Sequence, residues 1–241
     1  MSIDITIIIL ARNEADNLKI IIPRVRDIAD TLFSSYEILV IDGCSYDNTI
    51  AVASQLGARV VIQDHPGYGY AFRLAFKEAL GEYVLNVDAD CSHNPQFIES
   101  LWKQRAPNRL VIASRYIPHG KAEMPLIRRI LSGILNAVYS RAFSLPYRDL
   151  SSGFRLYHSQ TMAPILKTVT AHDFDVLLEV LLKLHLAGTL IIEVPFLYEQ
   201  RLHGRSNANL IKFGVSYVKT FFAARRWRKE AAVLSHQKGI S

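Results

Sequence analysis

Apolar and polar positions alternate in blocks along the chain, and the blocks change period about halfway. Ile3–Ala11 is a β-branched run that stops at Arg12-Asn13-Glu14, and an amphipathic stretch follows to about Phe33. Tyr36–Asp42 predicts a second strand, then a polar turn and a helix over Asn48–Leu56; Arg59–Gln63 predicts a third strand and Gly69–Leu80 a helix. Glu82–Asp88 and Leu110–Ser114 read as two more strands. Short Val- and Ile-rich runs separated by helical segments indicate βαβ units, with a parallel sheet covered on both faces. Beyond residue 120 the pattern turns helical. Leu126–Phe143 and Asp173–Ala187 have helical spacing, Leu190–Tyr198 reads as one strand, and a last helix runs from about Asn207 to Leu234. No internal repeat or Gly/Ser linker interrupts this order. The expectation is a doubly covered α/β domain over residues 1–205 and a C-terminal amphipathic helix or tail over 206–241.

Polar residues gather where such sheets bind ligands, at the carboxyl ends of strands: Arg12-Asn13-Glu14, Asp42, Asp88-Ala89-Asp90 and Ser114-Arg115. Two carboxylates two residues apart at a strand end can hold a hard divalent cation while diphosphate oxygens complete its shell. The pattern Asp-x-Asp is weak by itself and equally suits a solvated turn or a cap before Asn94-Pro95. Its position gives it weight. A phosphate-binding Gly-x-x-x-x-Gly-Lys loop, a Gly-x-Gly-x-x-Gly turn and a Gly-x-Ser-x-Gly elbow are all absent, which removes the main support for an ATPase, a dinucleotide enzyme or a serine hydrolase.

Composition sharpens two points. Half of the 241 residues are hydrophobic, mean hydropathy is +0.13, and the formal charge is +6. The longest stretches free of Asp, Glu, Lys and Arg run to 11 residues, short of the ~18 apolar residues of a spanning helix. The start, Met-Ser-Ile-Asp, lacks the basic n-region of a signal peptide, and two cysteines make no disulfide framework. These features raise the expectation of a cytoplasmic protein. Residues 201–229 carry eight Lys and Arg and no acid, so the remainder sums to −2. With Phe213, Tyr217, Phe221, Phe222 and Trp227 interleaved, that segment suits an anionic membrane surface, with Trp227 at headgroup depth, better than nucleic acid. A plain terminal helix packed on the domain is the alternative.

The ordered motifs resemble the family 2 glycosyltransferases of the GT-A fold, most of all the dolichyl- and polyprenyl-phosphate hexose synthases. The resemblance covers roughly residues 4–206. Ala11-Arg12-Asn13-Glu14 is similar to the first-strand motif, and Ile41 through Thr49 to an Asp-Asp-Gly-Ser segment with Gly43 in place of the second acid. Gly67-Tyr-Gly69, Asp88-Ala-Asp90, Ser114-Arg115, Asp149 through Arg155, Glu193-Val-Pro195 and Arg201 through Ser206 follow in the family's order. The resemblance implies a GT-A, Rossmann-like sheet and an inverting transfer of a hexose from GDP-mannose or a UDP-sugar to a polyprenyl phosphate. Ala11, Asn13, Glu14 and Asp42 would meet the nucleotide sugar, Asp88 and Asp90 would hold Mg²⁺ or Mn²⁺, and Ala89 lies between them. Arg115, Arg129 and Arg201 would bind phosphates, and Ser206 would sit in a loop closing over the site. Ser92 stands where some members carry a metal-ligating Gln. A lipid phosphate is already anionic and needs no strong base, whereas a saccharide hydroxyl would call on Asp173, Asp175 or Glu179, of which the two aspartates are equally read as helix caps. His93 and His203 read as loop residues near phosphate, and Cys44 and Cys91 as small buried filler. The expected setting is the cytosolic face of a membrane, without nucleic acid and with a membrane-anchoring subunit as a further partner. The alternatives are a transferase using another acceptor and a non-catalytic membrane- or nucleic-acid-binding module.

Overall fold

A computed structural model describes residues 3–201 and 210–238, with side chains to Arg201 and again over 214–230. Nine strands and eight α-helices are present among these: β1 (Ile3–Ala11), α1 (Ala15–Leu32), β2 (Tyr36–Asp42), α2 (Thr49–Gln55), β3 (Arg59–Ile62), α3 (Tyr68–Glu78), β4 (Gly81–Asp88), α4 (Ile98–Lys103), β5 (Arg109–Ser114), β6 (Lys121–Ala122), α5 (Leu126–Phe143), β7 (Arg155–His158), α6 (Ser159–Leu166), α7 (Val176–Leu186), β8 (Leu190–Pro195), β9 (Leu197–Tyr198) and α8 (Leu210–Lys238).

Seven strands form one sheet in the order β3-β2-β1-β4-β7-β5-β8, parallel except for β7, and β6 pairs with β9 in a separate ribbon. The β-branched runs are continuous because both sheet faces are covered. Ile5, Ile7 and Ile9 of β1 pack with Leu18, Ile21 and Val25 of α1, while Ile8 packs with Ala71 and Ala75 of α3. Each such fully buried side chain contributes about 1.5–3 kcal/mol relative to exposure. On the α3 side the cover continues through α5, α7 and α8, where Leu110, Ile112, Tyr139, Leu178, Leu181, Tyr217 and Ala224 share one cluster. Parallel register sets Ala11 beside Asp42 and Leu10 beside Asp88, so the polar ends of β1, β2 and β4 come out at one edge.

Three expectations need correction. The single strand over Leu190–Tyr198 is two: Pro195 has no N–H to extend the ladder, Phe196 turns its fully buried ring inward and donates its N–H to Ser114 O, and β9 leaves to pair with β6. The antiparallel β7 has no counterpart in the hydrophobic pattern. It holds four residues, Arg-Leu-Tyr-His, all buried, and displays neither alternation nor β-branching. Trp227 is half-buried against the α5–α7–α8 cluster, with the Lys183 ammonium 4.5 Å from its ring centroid, and is no surface aromatic. Among the described side chains of α8, the exposed aromatic ring is Phe222.

Among the described residues no helix is long and apolar enough to cross a membrane. Yet α5 leaves one whole stripe uncovered. Leu126, Ile127, Ile130, Leu131, Ile134 and Val138 are 44–61% exposed, whereas Asn136, Tyr139 and Phe143 on the opposite side are buried. Neighbouring α8 packs against it through Tyr139 Oη–H donating to Tyr217 O and through Phe221 against Phe143, and exposes Val215, Val218 and Phe222.

Candidate active site

The loops after β1 and β2 are knitted into one rim. Asn13, in the left-handed region at φ 57°, donates its N–H to Ser45 Oγ (2.8 Å) and accepts from Tyr46 N–H with its side-chain oxygen (3.0 Å). Glu14 N–H donates to Thr49 Oγ1 and Ala15 N–H to Asp47 Oδ2. Ala11 O accepts from Gly43 N–H at 2.7 Å, and a Cβ on Gly43 would stand 3.1 Å from Arg12 Cβ. A second acid at position 43 would therefore crowd this turn. Asp42 is fully buried. Its Oδ2 accepts from Ser45 N–H (2.9 Å), and its Oδ1 has no partner among the described residues. A buried acceptor without a donor is costly, and an N–H of a bound ligand would satisfy it.

Asp88 closes β4, and the chain turns back at Cys91, a non-glycine residue with φ 65°. The turn lets Ser92 donate both its N–H (3.1 Å) and its Oγ–H (2.6 Å) to Asp90 Oδ1, so the residue in the place of the ligating Gln supports Asp90 instead. Arg201 reaches in from the segment that follows β9. Its Nη2 lies 3.0 Å from Asp90 Oδ2 and its Nη1 lies 3.5 Å from Glu14 Oε1. Burial lifts Glu14 above the ordinary carboxylate range, against the opposing Asn17 hydrogen bond and the Arg201 charge. Burial also lifts Asp88. Asp90 is desolvated too, but the Ser92 hydroxyl and neighbouring positive charge outweigh that and hold it below its usual value. Carboxylates shifted apart in one cleft are a mark of a functional site.

Among the described residues no group of three or more His, Cys, Asp or Glu is arranged to hold a metal. The protein offers two hard oxygen donors, Asp88 and Asp90. That set suits Mg²⁺ or Mn²⁺ with water and phosphate oxygens in the other positions, and it does not suit a closed zinc site.

Beside these carboxylates the structure is locked. The Arg115 side chain is 9% exposed and forms a two-pronged pair with the fully buried Asp149 (Nε–Oδ2 2.8 Å, Nη2–Oδ1 2.7 Å), with Ser151 Oγ accepting a third bond. Burial alone would raise Asp149, but Arg115 overrides it and holds the carboxyl below its usual value. Glu193 accepts the N–H groups of Arg148 and Asp149, and Arg155, wholly buried, donates to the carbonyls of Leu177 and Leu150. Arg129 is exposed in the first turn of α5. Its guanidinium makes no hydrogen bond or ion pair with the described residues, and it stands on the same helix stripe as Ser132, which bonds Ser151 at 3.0 Å. Ser206, His203 and Gly204 lie outside the described residues.

The glycines of Gly67-Tyr-Gly69 serve a close approach of backbone to backbone. Gly69 N–H donates to His172 O, and a Cβ on Gly69 would meet Ala171 O at 2.4 Å. Tyr68 between them stacks on Phe174 (4.2 Å), and its Oη accepts from Asn86 Nδ2. Glu179 holds that loop, taking the N–H groups of Thr170 and Ala171. Asp175 makes no capping bond and instead accepts from Thr220 Oγ1–H of α8 at 2.8 Å. Cys91 is buried as expected, whereas Cys44 is exposed, because its loop rides over the rim. Most clearly missed from sequence is His93. It is no loose loop residue but 2% exposed and bonded to Asp88.

Residues 6–161 match the family described as Glycosyl transferase family 2. The chain belongs to that family. Among its relatives are a dolichol-phosphate mannosyltransferase of Pyrococcus furiosus, 27% identical over 237 residues, and an undecaprenyl-phosphate mannosyltransferase of Micrococcus luteus, 26% identical over 234. The alignments cover 94% and 91% of this chain, but 65% of the Pyrococcus protein against 94% of the Micrococcus one. A dolichol-phosphate mannosyltransferase of Saccharomyces cerevisiae is 26% identical, with 86% of this chain and 81% of that protein covered. In fold, the family 2 chain matches a glucosyl-3-phosphoglycerate synthase of Mycobacterium tuberculosis, solved with Mn²⁺, UDP-glucose and phosphoglyceric acid. The TM-score is 0.73 at 18% identity, with 92% of this chain and 79% of that one covered. The GT-A arrangement expected from the motifs is thus the one observed.

Proposed function

We propose that this glycosyltransferase moves a hexose from a nucleotide sugar to a polyprenyl phosphate at a membrane surface, with a divalent cation held by Asp88 and Asp90. The observation that carries the reading is the alignment of Asp42, Glu14, Asp88 and Asp90 at one sheet edge, with the Arg201 guanidinium against Asp90. Asp42 Oδ1, buried and unpaired, takes a base N–H, and Ala11, Asn13 and Glu14 frame the nucleoside. A bound Mg²⁺ or Mn²⁺ supplies positive charge for the diphosphate leaving group. Arg201 adds a guanidinium fork for phosphate oxygens, and Ser206 belongs to the segment that follows it. Arg115 orders the wall through Asp149, and Arg129, on the open side of that wall, reaches the acceptor phosphate.

A phosphate acceptor fits better than a saccharide hydroxyl. Asp175 and Glu179, two of the three candidate bases, are buried and occupied by Thr220, Thr170, Ala171 and Lys183. An anionic nucleophile needs no base, and in-line attack inverts the anomeric centre. The uncovered stripe of α5 and the exposed Val215, Val218 and Phe222 of α8, edged by Arg128, Arg141, Lys219 and Arg225, suit the headgroup boundary of an anionic cytosolic leaflet. Residues 1–205 then form the catalytic domain and 206–241 the basic C-terminal part, whose α8 faces the membrane, with a separate anchoring subunit as a further partner. The names of the relatives support this acceptor class. The test is a thermal-shift screen of GDP- and UDP-sugars with Mn²⁺, followed by transfer to a short polyprenyl phosphate and NMR of the product. Transfer only to a saccharide, or a product that retains the donor's anomeric configuration, would overturn it.

A further inference from the structure

His93 sits five residues past Asp88, and the left-handed turn at Cys91 brings it back under the strand end. Its ring lies parallel to Phe154 at 4.8 Å, with the edges of Phe196 and Tyr198 closing two more sides. Both ring nitrogens are given to one residue. Nδ1 accepts the Asp88 main-chain N–H at 3.0 Å, and Nε2 lies 3.3 Å from Asp88 Oδ2. The Nδ1 bond ties the Asp88 main chain to the ring, the Nε2 edge of the imidazole stands against Oδ2 without a hydrogen bond, and Asp88 Oδ1 takes no protein donor among the described residues. Gly153 keeps the space beside that oxygen open, since a Cβ there would stand 3.3 Å from Oδ1.

We infer that His93 is a positioning residue for the metal-facing carboxylate: its Nδ1 holds the Asp88 main-chain N–H and its Nε2 edge stands against Oδ2, so that Oδ1 is presented to the divalent cation. The inference rests on the reading of Asp88 as a metal ligand. Partners that orient a ligating carboxylate are worth about 10–100-fold in metal affinity. Calorimetry of Mn²⁺, alone and with GDP or UDP, reads the effect on the full chain without turnover. His93→Phe keeps a flat ring on Phe154 and removes both nitrogens; its Mn²⁺ affinity should fall about 10–100-fold. His93→Asn restores an acceptor near the Nδ1 position and should recover most of the loss. Phe154→Leu removes the stack and leaves the nitrogens; it should lower Tm while keeping Mn²⁺ affinity within about threefold.

Wild-type Mn²⁺ affinity in folded His93→Phe overturns the inference, as does a Phe154→Leu loss as large as that of His93→Phe. Should His93→Phe not fold, His93→Ala replaces it: the inference stands if its Mn²⁺ affinity falls at least tenfold while Phe154→Leu stays within about threefold, and falls otherwise. Asp88→Asn separates the two levels. Undiminished Mn²⁺ binding there removes the metal reading itself, whereas loss there with no effect of His93→Phe removes only the clamp.

Discussion

The edge where β1, β2 and β4 end and the wall built from β5, β7 and the loop before β7 use charged residues in opposite ways. At the edge, carboxylates keep atoms in reserve: Asp42 Oδ1 has no partner among the described residues, and Asp90 is countered by an arginine that is itself only partly buried. In the wall, Asp149, Arg115, Glu193 and Arg155 have their main valences filled by one another or by main-chain groups. The first arrangement is ready to exchange protein contacts for ligand contacts. The second spends its polar groups on holding a shape, and it makes a rigid face on which α5 can rest through Ser132 and Asn136.

The sharpest way to break this contrast is to cut each region at one carboxylate. Asp88→Ala should lower transfer by on the order of 10⁴-fold, about 5.5 kcal/mol of transition-state stabilisation, with near-wild-type cooperativity in urea. Steady-state kinetics beside urea unfolding reads both. Loss of stability in proportion to activity would mean that the edge is as structural as the wall.

Asp149→Asn should do the reverse. It leaves Arg115 buried and uncompensated, at a cost of about 3–5 kcal/mol by urea unfolding. The pH dependence follows from the depressed carboxyl of Asp149. A group lowered on folding stabilises the protein above its unfolded value, about 3.9, and that contribution is lost as pH falls through the lower folded value. Wild type should therefore lose stability below about pH 4 more steeply than the Asn variant.

The same contrast explains what the chain discloses before it folds. The strand ends of β1, β2 and β4 are legible because uninterrupted β-branched runs stop at charged residues, and the Asp-x-Asp pair announces itself by position. β7 is invisible, because its burial comes from two neighbouring strands and not from its own pattern. Arg115 is legible as a basic residue at a strand end, but its commitment to Asp149, 34 positions on, is a tertiary fact. His93 is concealed for a similar reason: a histidine after Asp-x-Asp looks like loop polarity until the turn at Cys91 brings it back under Asp88. The apolar residues of α5 were readable, but only packing separates the buried Tyr139 and Phe143 from the exposed Ile130 and Ile134.

That uncovered stripe gives a third, smaller test, outside both charged regions. Ile130→Gln with Ile134→Gln should weaken binding to vesicles containing anionic lipid by about 10–100-fold, roughly 1.4–2.7 kcal/mol. Unfolding should stay within about 0.5 kcal/mol of wild type. A large drop in stability would place the stripe inside an unseen core and not at a lipid surface.

The smallest effect should come from Asp175, a carboxylate that belongs to neither region. It joins α7 to α8 through Thr220, and burial raises its pKa despite that hydrogen bond. The sign is opposite to that of Asp149. A carboxyl raised on folding contributes stability while protonated, below its unfolded value near 3.9, and the contribution is lost as pH rises through the higher folded value. Asn at this position keeps an acceptor for the Thr220 hydroxyl and carries no charge to bury. Asp175→Asn should thus leave unfolding free energy at pH 7 unchanged or raised, by less than about 1 kcal/mol, and the difference from wild type should shrink as pH falls toward 4. A variant that loses stability at pH 7 would show that the Asp175 charge is compensated in the folded protein, and that the joint to α8 is built like the Arg115–Asp149 wall.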